Sequence, residues 1–352
     1  MSLFEVTEYD KKVYEKELRD FLPQKILDVH THVWLERLNG EKPANWEPFW
    51  TDYVAKENSI ENLQETYKLM FPGKDCSAMM FTNGWDDQPT EDNNEYVKES
   101  SKKSGWPALY YSRPTQSADE VEAKIRAGGF LGIKSFLSLA PSYIPRNEVR
   151  IFDFFPKHQL KRMDEMGAIV MLHIPRSGRL KDPVNLEQIL EAKREFPHMR
   201  LIIAHVGRAY TKGDIGNAFT DYLDKVPDLM YDFCANSSEL AITEVIKHAG
   251  ASHVMFGTDM PILRMRARRI EENGTYVNLV PKGLYGDVSC DSHMREVDYP
   301  EADNITFFAY EELLSFKKAA ETLKLTRKQI EDIMYNNAHD LIEGARKDIY
   351  NT

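Results

Sequence analysis

The chain has 352 residues, of which 42% are hydrophobic and 29% charged, and a formal net charge of −11. That is length for one large domain or two small ones with a full core, in the ordinary compositional range of a soluble globular protein. The acidic balance argues against a nucleic-acid partner, which needs a basic face, and no run of about 18 apolar residues offers a membrane span. Met1 to Asp20 is charged and lacks an apolar segment, so no signal peptide is expected. Cys76, Cys234 and Cys290 lie far apart, in no metal-binding spacing, and read as free thiols of a reducing cytoplasm.

Residues 7–21 read as an N-terminal helix, closed by Pro23 ahead of a first strand, Ile26 to His32. An aromatic stretch follows over 33–53, with Trp34, Trp46, Phe49 and Trp50, suited to walling a pocket, meeting another subunit or packing over the end of the fold. A helix over 57–70 leads to strand two, Ser77 to Thr82, and to the polar Asn83-Gly84-Trp85-Asp86-Asp87, where a turn role is expected for the two aspartates. The pattern then repeats. Helices at 91–103, 118–127, 153–166, 184–195, 215–225 and 237–249 precede strands at Ala108–Ser112, Phe130–Phe136, Ala168–His173, Leu201–His205, Leu229–Phe233 and His253–Gly257. These strands are apolar runs without alternation, as a parallel sheet buried on both faces requires. Eight such units over about 230 residues fit a (β/α)8 barrel better than a doubly wound sheet, and no Gly-x-Gly-x-x-Gly follows a strand. A long loop, Pro261 to Ile305, follows strand eight and carries Arg264, Arg266, Arg268, Arg269, His293 and Arg295. A loop of this length reads as a lid or an interface. Helices at 310–324, 327–335 and 337–347 finish the chain, which has no internal repeat, linker or low-complexity segment.

In such a barrel the active site sits at the C-terminal strand ends, so the informative residues are those on which the strands end. Strand one ends in His30 and His32, which share a face because strand side chains alternate. Strand four carries Lys134. Strand five ends in His173, strand six in His205, and strand eight in Gly257-Thr258-Asp259. Three to four imidazoles and a carboxylate converging on one mouth form a shell for zinc or another divalent transition metal. His158, His198, His248 and His339 fall in helices or loops away from the strand ends, and His253 begins strand eight at the opposite face.

These residues resemble the amidohydrolase superfamily, specifically its amidohydrolase-2 branch of metal-dependent decarboxylases and lactone hydrolases. The resemblance runs from about residue 25 to 345, which makes the chain one domain, 1–352. It is carried by Asp28-Val29-His30-Thr31-His32, by His173, by Ala204-His205-Val206-Gly207, by Phe256-Gly257-Thr258-Asp259-Met260-Pro261, and by Asn336-Asn337-Ala338. It implies that His30, His32, His173 and Asp259 bind one divalent metal, zinc first and manganese or iron next, with His205 beside it as general acid/base and Asp259 as ligand, base or both. It also leaves Lys134 two roles, as a carboxylated bridge to a second metal or as a charge, packing or substrate group. Arg176 and Arg208, each shortly after a site histidine, suit a substrate carboxylate, or solvent.

The leading expectation is a metal-dependent hydrolase of a small carbonyl compound, a lactone or amide. The rival is a nonoxidative decarboxylase of a small aromatic or unsaturated acid, because the same shell serves both. A binding barrel that merely retains its histidines would be missing one or more ligand types, and none is missing. A small-molecule substrate and a homodimer are the expected partners.

Overall fold

The computed structural model of the chain describes residues 2–41, 46–83 and 90–351. The turn expected at Asp86 and Asp87 therefore lies outside the described residues.

Eight short strands lie parallel: β1 Lys25–His32, β2 Asp75–Phe81, β3 Tyr110–Tyr111, β4 Gly132–Lys134, β5 Ile169–Leu172, β6 Arg200–Ile203, β7 Met230–Asp232 and β8 Val254–Met255. β1 pairs with β2, and β3 through β8 pair in sequence order. Two sets of main-chain bonds join these sheets into a ring. Met80 and Leu109 link β2 to β3 through Met80 N–H to Pro107 O and Leu109 N–H to Met80 O, both 2.9 Å. Past β8, Val29 N–H reaches Phe256 O (3.0 Å), Asp259 N–H reaches His30 O and His32 N–H reaches Met260 O (both 2.8 Å). The (β/α)8 architecture read from the alternation is thus present, with strands shorter than the apolar runs. Strand six stops at Ile203 and strand five at Leu172, so His205 and His173 stand in the loops just beyond.

Local chemistry accounts for the units. The helix Ala118–Gly128 begins with Ser117 and Glu120 bonding each other's backbone N–H and ends on left-handed Gly129. Gly132 opens β4 at φ 151°, and a Cβ there would stand 1.9 Å from Ile169 O, so only glycine lets β4 lie against β5. The helix expected over 153–166 is two, Ile151–Phe154 and Lys157–Glu165, because Pro156 lacks an N–H and disfavours helical backbone at Phe155. The stretch 215–225 is likewise short irregular turns. Asn337 of the closing motif donates to Ala251 O (2.7 Å) and Val254 O (2.8 Å), bracing the entry to β8.

The largest departure from expectation is after β8. Within the stretch read as an unstructured loop stands a three-stranded sheet of β9 Arg268–Glu272, β10 Thr275–Pro281 and β11 Met294–Val297. β9 and β10 form a hairpin whose two loop residues, Asn273 and Gly274, both take positive φ (51° and 76°). Asn-Gly is the pair that such a turn selects, and it was readable in the sequence. The aromatic stretch packs against this insertion. Trp50 donates to Asp291 (3.2 Å), and Tyr53 covers Gly286 so closely that a Cβ there would meet its ring at 2.7 Å. Trp46, Phe49 and Tyr53 stay exposed. No helix among the described residues is long and apolar enough to cross a membrane.

Candidate metal centre and its surroundings

Asp28, the first residue of the strand-one motif, does not face the site. It is fully buried and accepts from the N–H groups of His30 (3.0 Å) and Thr258 (2.9 Å), from Tyr67 Oη (2.8 Å) and from Thr258 Oγ. It therefore ties β1 to the loop after β8, and burial pushes its carboxyl up to about 7. Gly257 serves the same closeness, since a Cβ there would stand 3.0 Å from His30 Cβ and 3.1 Å from Cys234 Cβ.

Held by that junction, His30, His32 and Asp259 place their ligand atoms within 4.8 Å of one another. Asp259 Oδ1 lies 3.1 Å from His32 Nε2 and 3.6 Å from His30 Nε2. The outer nitrogens are all spoken for. His32 Nδ1 meets Thr82 O and His30 Nδ1 meets Asp232 Oδ2, each at 3.0 Å, and His205 Nδ1 meets Cys234 O at 2.9 Å. A carbonyl only accepts, so His32 and His205 carry their proton on Nδ1. Asp232 imposes the same on His30: burial alone would raise this carboxyl, but His30 and His205 pull it down to about 2, so it is an acceptor at neutral pH. Burial drives His30 down to about 4 despite Asp232, so it is neutral. The bare Nε2 of His30 thus lies 3.6 Å from an anionic oxygen that His32 Nε2 also meets. Asp259 itself is held well below the usual carboxylate range, with burial outweighed by His32, His30 and His205. Two imidazole nitrogens and a carboxylate oxygen converging within 4.8 Å of one another are a donor set that fits a divalent metal.

His205 follows β6 on a left-handed turn, His205 to Arg208, with four successive positive φ values (59°, 49°, 58° and 60°). Such backbone is costly for His, Val and Arg and concentrates where function over-determines it. The turn swings His205 against both neighbours, its ring centroid 4.8 Å from that of His30 and 4.9 Å from that of His173. Burial keeps His205 neutral by lowering its pKa. Among the described residues His173 joins neither close ligand group; it stands one imidazole away, edge-on to Phe136. His30, His205 and Cys234 form a second cluster, with Cys234 Sγ 3.0 Å from His205 Nδ1. There the His205 Nδ1 proton is already donated to a carbonyl, and burial pushes the Cys234 thiol far up. Lys134 is buried, its Nζ 5.3 Å from the Phe81 ring centre. Burial lowers it to about 8, with Asp259 and Asp232 holding it up against that.

A cleft of about 400 Å³ ends on His173 and is walled by Phe136, Leu137, Arg146, Asn147, Pro175, Ser177 and Arg208. Neither Arg146 nor Arg208 has a carboxylate partner among the described residues; Arg208 Nη1 only grazes the carbonyls of Ile174, Pro175 and Arg176 at 3.3–3.4 Å. Arg176 is differently placed. Its Nε lies 3.2 Å from Asp182 and its Nη1 is 3.3 Å from Glu148 O, so it braces its own loop. Asp232, Cys234 and Arg146 were not singled out from sequence. Asp232 had a signal, as a carboxylate ending a buried strand; Arg146 had none.

A parallel barrel with imidazoles and a carboxylate converging at its C-terminal mouth defines an enzyme of the metal-site barrel class. The family described as Amidohydrolase (Amidohydro_2) matches residues 27–276, and the chain belongs to that amidohydrolase family. Solved structures of similar fold include 4-oxalomesaconate hydratase from Rhodopseudomonas palustris (15% identity, 91% of this chain and 96% of that one, TM-score 0.53). An amidohydrolase from Burkholderia multivorans with bound zinc is similar at 10% identity, 90% and 99% coverage, TM-score 0.53. 2,6-Dihydroxybenzoate decarboxylase from Rhizobium is similar at 12% identity, 92% and 99% coverage, TM-score 0.50. No curated protein matches the sequence.

Proposed function

We propose that the chain is a metal-dependent hydrolase of a small, anionic carbonyl compound, a lactone or an amide. The observation that carries this reading is the convergence of Nε2 of His30 and His32 on Asp259 Oδ1, beside a neutral His205 whose Nδ1 proton is committed to Cys234 O. His30, His32 and Asp259 would hold the metal, with His173 the fourth candidate ligand from its place beside His205. Zinc suits this donor set, and a structural relative has zinc bound; manganese and iron are the alternatives. When bound, the metal supplies Lewis acidity, which polarises a carbonyl and acidifies water.

The protein's own groups divide the remaining work. His205 Nε2 takes the proton of the attacking water and returns it to the leaving group. Asp259 supplies a second acceptor on the same side. Lys134 contributes positive charge beside Asp259 and Asp232, with a carboxylated bridge to a second metal as its other role. Arg208 and Arg146 receive the substrate's carboxylate at the cleft. The working setting is the cytoplasm, with no nucleic-acid or membrane partner, and a homodimer would form on the exposed Trp46, Phe49 and Tyr53 beside the insertion.

The arginine-walled cleft also suits the second reading, a nonoxidative decarboxylase of a small aromatic or unsaturated acid, since such a substrate carries a carboxylate by definition. Metal content by mass spectrometry, followed by a screen of lactones, amides and aromatic acids, tests both. Ring opening or amide cleavage at about one metal per chain supports hydrolysis. Carbon dioxide release without hydrolysis selects decarboxylation, and a protein that takes up no metal overturns both.

A further inference from the structure

We propose that Arg269 and Glu312 are positioning residues for His205, acting through the one peptide group that joins Ala235 to Asn236. The proposal rests on the reading of His205 as the proton-transferring group. That peptide is held at both poles. Arg269 Nη1 donates to its oxygen, Ala235 O, at 2.7 Å, and its N–H, that of Asn236, donates to Glu312 Oε2 at 3.2 Å. The two side chains come from distant parts of the chain, Arg269 from β9 of the insertion and Glu312 from the helix Phe308–Thr322.

For neither residue does an ion pair among the described residues explain its charge. Arg269 makes no ion pair among the described residues. Its guanidinium is enclosed by the rings of Tyr210 and Tyr276 (both 4.5 Å) and Phe308 (4.6 Å), and Nε donates to Asn278 Oδ1 at 2.9 Å. Glu312 has no exposed surface, and its other oxygen has no hydrogen-bond partner among the described residues. Burying a carboxyl to meet one backbone N–H is unfavourable compared with an apolar side chain in the same place. Such a residue belongs where the N–H must not turn. The peptide it holds follows Ala235 at φ 52°, a left-handed conformation adopted without glycine.

What the peptide fixes lies on either side of it. One residue before, Cys234 O accepts the His205 Nδ1 proton and so sets the tautomer. One residue after, the Asn236 amide donates to Ala209 O (3.0 Å) and reaches His205 O (3.4 Å), at the two ends of the left-handed turn. If the peptide rotates, His205 loses the carbonyl that orients its ring and the amide that holds its backbone. The insertion after β8 is therefore coupled to the proton-transferring histidine through Arg269.

The test uses zinc-loaded, 15N-histidine-labelled protein as wild type, Arg269→Ala, Glu312→Leu and Glu312→Gln, with His205→Gln to assign the signal. The readouts are the His205 imidazole 15N shifts, zinc per chain, thermal stability and turnover. Wild type is expected to show one tautomer, Nδ1–H. Arg269→Ala and Glu312→Leu are expected to stay folded and zinc-loaded, to show mixed His205 tautomers, and to lose ~10–100-fold in kcat at similar KM, the scale of a misplaced catalytic group. Glu312→Gln, which keeps an acceptor for the Asn236 N–H, is expected to restore the single tautomer. Unchanged His205 signals in the folded Ala and Leu variants would overturn the proposal. So would a Gln variant indistinguishable from Leu, a comparison that Arg269→Ala decides alone if Glu312→Leu does not fold. Mixed tautomers in a protein that hydrolyses no carbonyl compound would leave the positioning intact and defeat the functional reading instead.

Discussion

His205 aims its Nδ1 at the main-chain oxygen of Cys234, 2.9 Å away, and this one bond decides which nitrogen faces the chemistry. A carbonyl cannot donate, so the proton lies on Nδ1 and the bare Nε2 is left for the reactants. Replacing His205 by Gln should therefore lower kcat by ~10²–10⁴, the usual worth of a positioned acid/base. Metal content should stay at the wild-type level, because His205 stands beside the ligands rather than among them. Loss of metal together with activity would make it a ligand.

The bond from His30 Nδ1 to Asp232 gives a graded prediction for the metal. His30→Ala removes a donor outright and should leave the purified protein nearly metal-free. Asp232→Asn keeps the shape but removes the charge that fixes the tautomer and strengthens the ligand, so it should weaken metal affinity ~10–100-fold. Competition with a chelator measures both. Equal affinity in Asp232→Asn and wild type would mean that the carboxylate serves only the backbone N–H groups of His205 (2.7 Å) and Cys234 (3.2 Å).

Arg208 and Arg146 wall the cleft with no carboxylate partner among the described residues. Either alanine substitution should reduce kcat/KM ~10–100-fold for an anionic substrate, following the ~1.5–3 kcal/mol of a charged hydrogen bond. The loss should shrink for a neutral analogue, such as the methyl ester of the same compound. Arg176→Ala should instead act through loop stability, because its partner is Asp182. Steady-state kinetics on the substrate pair separates the two kinds of arginine.

Glu312 predicts a pH dependence of stability. Burial pushes its carboxyl well above the usual range, and Asp28, Asp232 and Asp259 add to this against the Asn236 N–H, so the folded protein keeps the proton to higher pH than the unfolded chain. In the unfolded chain the group ionises near about 4.3. The native state thus binds more protons above that pH, and stability declines as pH rises toward the native value. Glu312→Gln has no proton to lose. Its Tm relative to wild type should climb as pH is raised from about 5 to about 8, and a difference that does not change with pH would show an ionised Glu312.

Much of this was legible before any coordinates. Apolar runs at regular spacing announce eight buried parallel strands, because a strand covered on both faces has no polar side to alternate with. His30, His32, His173, His205 and Asp259 were legible because strand ends in a barrel converge whatever the loops do. The Asn273-Gly274 turn was legible too, but β9, Arg268-Arg269-Ile270-Glu271-Glu272, is almost wholly charged and buries no residue fully, so no apolar period marks it as a strand. The rest depended on tertiary structure. Composition does not reveal that Asp232 and the carbonyls of Thr82 and Cys234 take the Nδ1 protons, since the latter two are main-chain atoms present at every residue. Nor does it separate Arg208, over an open cleft, from Arg176, held by Asp182. The chain decides by residue type which groups reach the barrel mouth; proton positions and pairings follow from distances that only the closed ring of strands creates.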